Sequence, residues 1–293
     1  MRVSGLQIVV LVTVCGIFSS GWPPAYGRQQ QSSDKHKEIP ASAKPTKIVQ
    51  SDGISCWQTE SALYVQLNPP RTSGEIRLPR LANVVSKVHW LGHAEAALHL
   101  HPEPTHWIVK FDQAPEDAST IVVQLDSTPV LFDAQRVIEP SEDDCITLDA
   151  RYAVTHGNTL RYEPQSHKNT VGYWSNEKDS VSWKFRCDKA GVYEVDILQG
   201  CGKGHGGSDV DLRIGRQTLR LKVQETGHFQ NFVWKTPGEV MLPEAADLTL
   251  ELVPAGKAAG AVMDVRAIRL VPQGRDRVKT PELADPEALP KVP

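Results

Sequence analysis

Val181-Ser182-Trp183-Lys184-Phe185, followed by Ala190-Gly191-Val192-Tyr193-Glu194-Val195, decides the fold of this chain. Successive side chains of an extended strand point to opposite faces, so Val181, Trp183 and Phe185 share one face while Ser182 and Lys184 share the other. The same period recurs downstream. Tyr193, Val195 and Ile197 alternate with Glu194 and Asp196, and Val210, Leu212 and Ile214 with Asp209, Asp211 and Arg213. Leu219, Leu221 and Val223 alternate with Arg220 and Lys222, and Leu248, Leu250 and Leu252 with Thr249 and Glu251. Five such alternations joined by short turns imply an antiparallel jelly-roll sandwich over residues 146–272.

A second β-rich unit precedes it. Leu63, Val65 and Leu67, then Ile76 and Leu78, then Trp107, Val109 and Phe111, then Val123 and Leu125 each follow period two, the signal of strands with one buried face, which predicts a β-rich unit over 51–132. Residues 133–145 are polar and acidic and read as a linker. Residues 28–50, rich in Gln, Ser, Lys and Pro without apolar periodicity, read as a disordered linker. Residues 273–293 are charged and Pro-rich and read as a flexible tail. With no long amphipathic helix, the expected class is all-β, with two β-sandwich domains.

Met1-Arg2, the apolar run Leu6 to Phe18 and Ala25-Tyr26-Gly27 have the plan of a signal peptide over 1–27. A secreted or periplasmic protein follows, with an uncleaved N-terminal anchor as the alternative. No later stretch could cross a membrane. The net charge of −3 comes from well-mixed signs, so no basic stripe offers itself to nucleic acid. Of five cysteines, Cys15 would leave with the signal. Cys56, Cys145, Cys187 and Cys201 then permit two disulfides, of which Cys187–Cys201 would close a short loop between neighbouring strands. Buried free thiols are the equal alternative.

The loops of the second unit hold the candidate site. In Gly172-Tyr173-Trp174-Ser175-Asn176 the adjacent aromatics lie between turn signals, where a ring can lie flat against the C–H face of a sugar. Asn176, His205, His228, Gln230 and Asn231 could meet hydroxyl groups of a neutral polar ligand; the bland alternative is that the rings cap the core. Gly202-Lys203-Gly204-His205-Gly206-Gly207 lacks the ending and the following helix of a phosphate loop. In the last strand Asp264 and Arg266 share the parity of Ile268 and Leu270. Three accounts stand: an Asp264–Arg266 ion pair, a β-bulge, or a calcium ion shared by Asp264 and Asp149. His99 and His101 with His106 could bind zinc or copper, against a solvated strand face.

Several stretches together resemble a known family. They are Ile146-Thr147-Leu148-Asp149-Ala150, Gly172-Tyr173-Trp174-Ser175, Val181-Ser182-Trp183-Lys184-Phe185, Ala190-Gly191-Val192-Tyr193, Gly200-Cys201-Gly202-Lys203-Gly204, Thr226-Gly227-His228-Phe229-Gln230-Asn231-Phe232 and Ala261-Val262-Met263-Asp264-Val265-Arg266. Residues 146–272 look like a family-6-type carbohydrate-binding module, a galactose-binding-like jelly roll. More narrowly they resemble the C-terminal module of some secreted bacterial α-L-fucosidases and sulfatases. Ala62-Leu63-Tyr64-Val65, Ile76-Arg77-Leu78-Pro79, Val88-His89-Trp90-Leu91-Gly92 and Thr120-Ile121-Val122-Val123-Gln124-Leu125 are similar, more loosely, to the small C-terminal β-sandwich of α-L-fucosidases. The resemblance implies glycan or polysaccharide binding through Tyr173 and Trp174 with Asn231 as polar partner. It also implies a structural calcium at Asp149 and Asp264, although Arg151 stands where a second acidic residue is expected.

No segment supplies the roughly 250 residues of a catalytic (β/α)8 barrel. The sulfatase pattern needs Arg four places after its Cys or Ser, and Ser127-Thr128-Pro129 leads instead to Leu131. The reading is therefore a secreted non-catalytic carbohydrate-binding protein. The alternatives are a structural sandwich docking a protein partner, or a fucosidase- or sulfatase-related fragment.

Overall fold

A computed structural model describes residues 38–274, in which 21 strands and one 3-10 turn make up the regular structure. The first sandwich opposes a six-stranded sheet to a three-stranded one. The larger sheet runs β1 (Lys44–Thr46), β2 (Ile54–Gln58), β3 (Ala62–Leu67), β9 (Thr120–Leu125), β5 (Val85–Trp90) and β6 (His93–Ala97). The smaller runs β4 (Gly74–Pro79), β8 (His106–Phe111) and β7 (His99–Pro102). The alternating residues named above fill the space between them. Leu63, Val65, Ile76, Leu78, Trp107, Val109 and Val123 are all buried, and Trp90 meets Phe111 edge to face at 5.0 Å.

The second sandwich has two larger sheets. One runs β10 (Val137–Ile138), β15 (Ser180–Cys187), β20 (Ala246–Gly256), β17 (Asp209–Ile214) and β18 (Gln217–Lys222), with β12 (Val154–His156) also on β15. The other runs β13 (Arg161–Glu163), β14 (Thr170–Gly172), β21 (Asp264–Pro272), β16 (Gly191–Gly200) and β19 (Phe232–Leu242), with β11 (Ile146–Asp149) on β21. Val181, Trp183 and Phe185 point inward as the alternation requires, and the Trp183 indole donates to Asp149 O at 2.9 Å.

Parts of two supposed linkers are built into the sheets, residues 28–37 lying outside the described residues. Residues 44–46 pair with β2, with Thr46 opposite Cys56, and Val49 is buried against the core. Within 133–145, Val137 and Ile138 run parallel to Lys184 and Phe185. Both segments are short and partly polar, so period two had no room to register in the sequence. The expected signal peptide and nearly all of the expected tail lie outside the described residues. No helix among the described residues is long and apolar enough to cross a membrane.

The two sandwiches share one continuous apolar cluster, and polar contacts lock the seam. Arg80, 4% exposed, donates to Ala153 O at 2.8 Å and lies 3.8 Å from the Phe132 ring centroid. Burial pushes its guanidinium down to about 10. The Tyr162 hydroxyl donates to Asn83 O, Arg151 pairs with Asp126, and Arg161 Nη1 donates to Pro102 O at 2.8 Å. Main-chain bonds Val85 N to Pro164 O and Ser166 N to Val85 O continue the β5 edge into loop 164–169.

Candidate functional site

β14 ends at Gly172, and the chain turns sharply through Tyr173 and Trp174. Tyr173 has φ +57°, a left-handed conformation that suits glycine and strains a bulky side chain. Its main chain closes a tight turn, Ser175 N donating to Tyr173 O at 2.9 Å. The two rings separate there. Tyr173 is 51% exposed, with the Arg161 guanidinium 4.0 Å from its ring centroid and Lys168 Nζ at 5.7 Å. Trp174 is 1% exposed and its indole donates to Asp179 O at 3.0 Å. Trp174 is therefore a core residue, which corrects the expectation of a paired platform: consecutive residues face opposite ways, and only one can face solvent.

The other expected ligand groups brace loops. Asn176 Nδ2 donates to Asp179 Oδ1 at 2.8 Å. Burial alone would raise the Asp179 carboxyl, but amide donors from Thr159, Leu160 and Asn158 hold it below its ordinary value. The His205 ring packs on Phe229 at 5.3 Å, and its Nδ1 accepts from Ala261 N. His228 Nδ1 accepts from Gln230 N, and Asn231 Nδ2 donates to Thr226 O. His205, His228 and Asn231 thus tie together loops 201–208, 223–231 and 257–263, and Tyr173 stands with residues that sequence reading passed over, Arg161 and Lys168. β13 is three residues long, too short for an alternation, and its Arg-Tyr-Glu pattern was the one available signal.

Gly172 explains why the site is packed as it is. A Cβ there would run into Glu163 Oε1 and lie 3.0 Å from Asp264 Oδ1, so only glycine lets these two carboxyls meet beneath the chain. Both are buried, Glu163 paired with Lys168. Burial and then the Glu163 charge push the Asp264 carboxyl well above its ordinary value, against the opposing pull of Lys168, Gln230 and Arg266.

The raised Asp264 carboxyl makes stability depend on pH with a definite sign. A folded-state value above the unfolded 3.8 stabilises the fold fully below 3.8, and this contribution is lost as pH rises through the folded value. Asp264→Asn should therefore flatten the loss of stability from about pH 4 upward, which in the parent runs at up to about 1.4 kcal/mol per pH unit while only the unfolded chain has released the proton. Urea midpoints at acid and neutral pH check it, and equal slopes in variant and parent would contradict it.

The last-strand anomaly resolves as a bulge that hides both charges. Leu198 pairs with Ala267 and Gln199 with Val265, leaving Arg266 as the extra residue. Asp264 and Arg266 are 4% and 5% exposed, so the bulge does not carry the acid to solvent. Arg266 donates to His167 O and Lys168 O and lies 3.9 Å from the Phe232 centroid. It clamps loop 164–169 instead of making a simple pair with Asp264.

The calcium expectation does not fit these residues. Asp149 lies opposite Ala267, three residues along β21 from Asp264, which puts the two about 10 Å apart. Calcium needs oxygens within roughly 2.6 Å. Asp149 Oδ1 instead accepts from Arg151 N at 2.9 Å and pairs with its guanidinium. Among the described residues no three His, Cys, Asp or Glu gather to hold a metal, which covers His99, His101 and His106 as well. The expected Cys187–Cys201 bridge is also absent. Both are buried free thiols, as is Cys56. The ten residues of β16 run between Cys187 and Cys201 and set them about 30 Å apart along the strand, at opposite ends of the sandwich.

No family model matches the chain, and no curated protein matches it. Solved structures with some likeness include the insecticidal crystal protein Cry2Aa, at 14% identity and TM-score 0.41 over 54% of this chain and 27% of that one. The C-terminal CBM6 of LamC, a laminarinase from Zobellia galactanivorans, gives 20% identity and TM-score 0.36 over 43% of this chain and 98% of that one. An α-L-fucosidase from Vibrio sp. strain EJY3 gives 13% identity and TM-score 0.33 over 78% of this chain and 42% of that one. At such scores these likenesses carry no argument, and the chain spans about a quarter of the crystal protein's length.

Proposed function

We propose that the chain is an exported, non-catalytic carbohydrate-binding protein whose ligand stacks on Tyr173. The supporting observation is a large aromatic held half-exposed at positive φ. Strain of about 1–3 kcal/mol at such a residue persists where the side chain has a task that glycine could not perform. Arg161 covers one side of the ring, and the exposed remainder offers a flat apolar surface to the C–H face of a pyranose. Arg161 and Lys168 stand beside it as donors for hydroxyl oxygens. A hydrolytic role is disfavoured because the neighbouring carboxyls, Glu163 and Asp264, are only 3% and 4% exposed and out of reach of a substrate.

Tyr173→Ala in the full chain is expected to lower glycan affinity about tenfold or more, the scale of one lost stacking contact of about 1.4 kcal/mol. Its stability should fall by no more than about 0.5 kcal/mol, as for other surface substitutions. A glycan array followed by titration of the strongest ligand measures the first, and urea unfolding the second. A glycan that binds the variant as tightly as the parent removes Tyr173 from the site.

A further inference from the structure

A cleft of about 320 Å3 lies between the two sandwiches, walled on one side by residues 165–168. Its floor is apolar, from Val85, Val88, Leu98 and Leu100. Its polar rim carries Lys87 and His99 from the first sandwich and Gln165, His167 and Lys168 from the second, and no acidic side chain lines it. Lys168 shares its charge with Glu163, but the side chains of Lys87, His99 and His167 make no ion pair or hydrogen bond with described residues. The His167 imidazole sits below its ordinary value, through burial first and then through Lys168 and Arg266, so this ring adds no charge to the rim at neutral pH. Gln165 is fixed in the wall, its amide donating to Leu100 O at 3.0 Å across the seam.

An apolar floor beside the ammonium groups of Lys87 and Lys168 suits a sugar ring bearing a negative charge. We propose that this junction cleft binds an anionic saccharide unit, one carrying a carboxylate or a sulfate ester. The proposal rests on the carbohydrate reading and names the class of ligand. Lys168 belongs both to the cleft wall and to the surroundings of Tyr173, so one chain of sugars can span the two. The wall is rigid: Arg266 holds the carbonyls of 167 and 168, Asn169 meets the Tyr162 hydroxyl, and Ser166 is bonded to Val85. Because the rim draws on both sandwiches, neither could form the cleft alone.

The test is calorimetric titration of the full chain with three oligosaccharides of equal length: an oligogalacturonate, a sulfated galacto-oligosaccharide and a neutral galacto-oligosaccharide. At least one charged ligand should bind about tenfold or more tighter than the neutral one, a preference that weakens with salt because the rim is open to solvent. Which charged ligand is preferred identifies carboxylate or sulfate. The double substitution Lys87→Met with His99→Gln should abolish the preference and leave neutral binding unchanged, while Lys87→Arg keeps it. Equal binding of charged and neutral ligands, or a preference untouched by the double variant, overturns the proposal, as does inorganic sulfate binding as tightly as the sulfated sugar. Tyr173→Ala separates the two readings. If it removes neutral and charged binding alike while the cleft variant does nothing, the carbohydrate reading stands and the cleft falls. If only the cleft variant matters, Tyr173 falls and the cleft stands. No binding by any of the three removes both.

Discussion

Trp174→Ala should destabilise the protein by about 3–5 kcal/mol, the usual range for truncating a large buried aromatic. The indole fills the end of the second sandwich at 1% exposure, so alanine leaves a cavity that the surrounding strands cannot close. It also strands Asp179 O, which accepts the indole N–H, at the base of a carboxylate knot joining Asn158, Thr159, Leu160 and Asn176. The main chain at 174 accepts from Val262 N and ties this turn to the approach to β21. Trp174→Phe should recover most of the loss by refilling the space. Denaturant unfolding measures both, and an unchanged midpoint in the alanine variant would put the ring outside the core. Any loss of ligand binding in Trp174→Ala reports a collapsed turn, so Tyr173→Ala is the substitution that reads the site.

Arg80→Ala is expected to lower stability by about 3 kcal/mol, the upper range for hydrogen bonds from a charged group, with lost stem packing in addition. Arg80 is a buried polar link between the sandwiches. It donates to Ala153 O and lies between the Phe132 and Tyr162 rings. The parent should melt in one calorimetric transition because the apolar cluster is continuous across the seam. The alanine variant should broaden or divide that transition, the sandwiches now opening at different temperatures. A sharp single peak at the parent temperature would show that the seam is held by other contacts.

The β-sandwich architecture was legible where strands were long enough to repeat. Val181, Trp183 and Phe185, or Leu63, Val65 and Leu67, each give three inward positions, and all six are buried. Short strands were not legible. Lys44–Thr46, Val137–Ile138 and Arg161–Glu163 offer at most one full alternation, and pairing to longer neighbours defines them. At the site, the Tyr-Trp pair was visible but its division was not, because the left-handed turn at Tyr173 is set by what lies around it. The Gly172 contact with Glu163 and Asp264 joins residues about a hundred positions apart, which no local pattern encodes. The cysteine pairing failed for a related reason: nearness in sequence counted for less than a full-length strand between the two.

Three sealed sulfhydryls among the described residues give the molecule built-in reporters. Cys56 lies in the first sandwich, and Cys187 and Cys201 in the second. Burial raises Cys56 and Cys201 to about 11, so an alkylating reagent at neutral pH meets little reactive thiolate until a door opens. Mass spectrometry of timed labelling would then record, in the unaltered protein, which half breathes first.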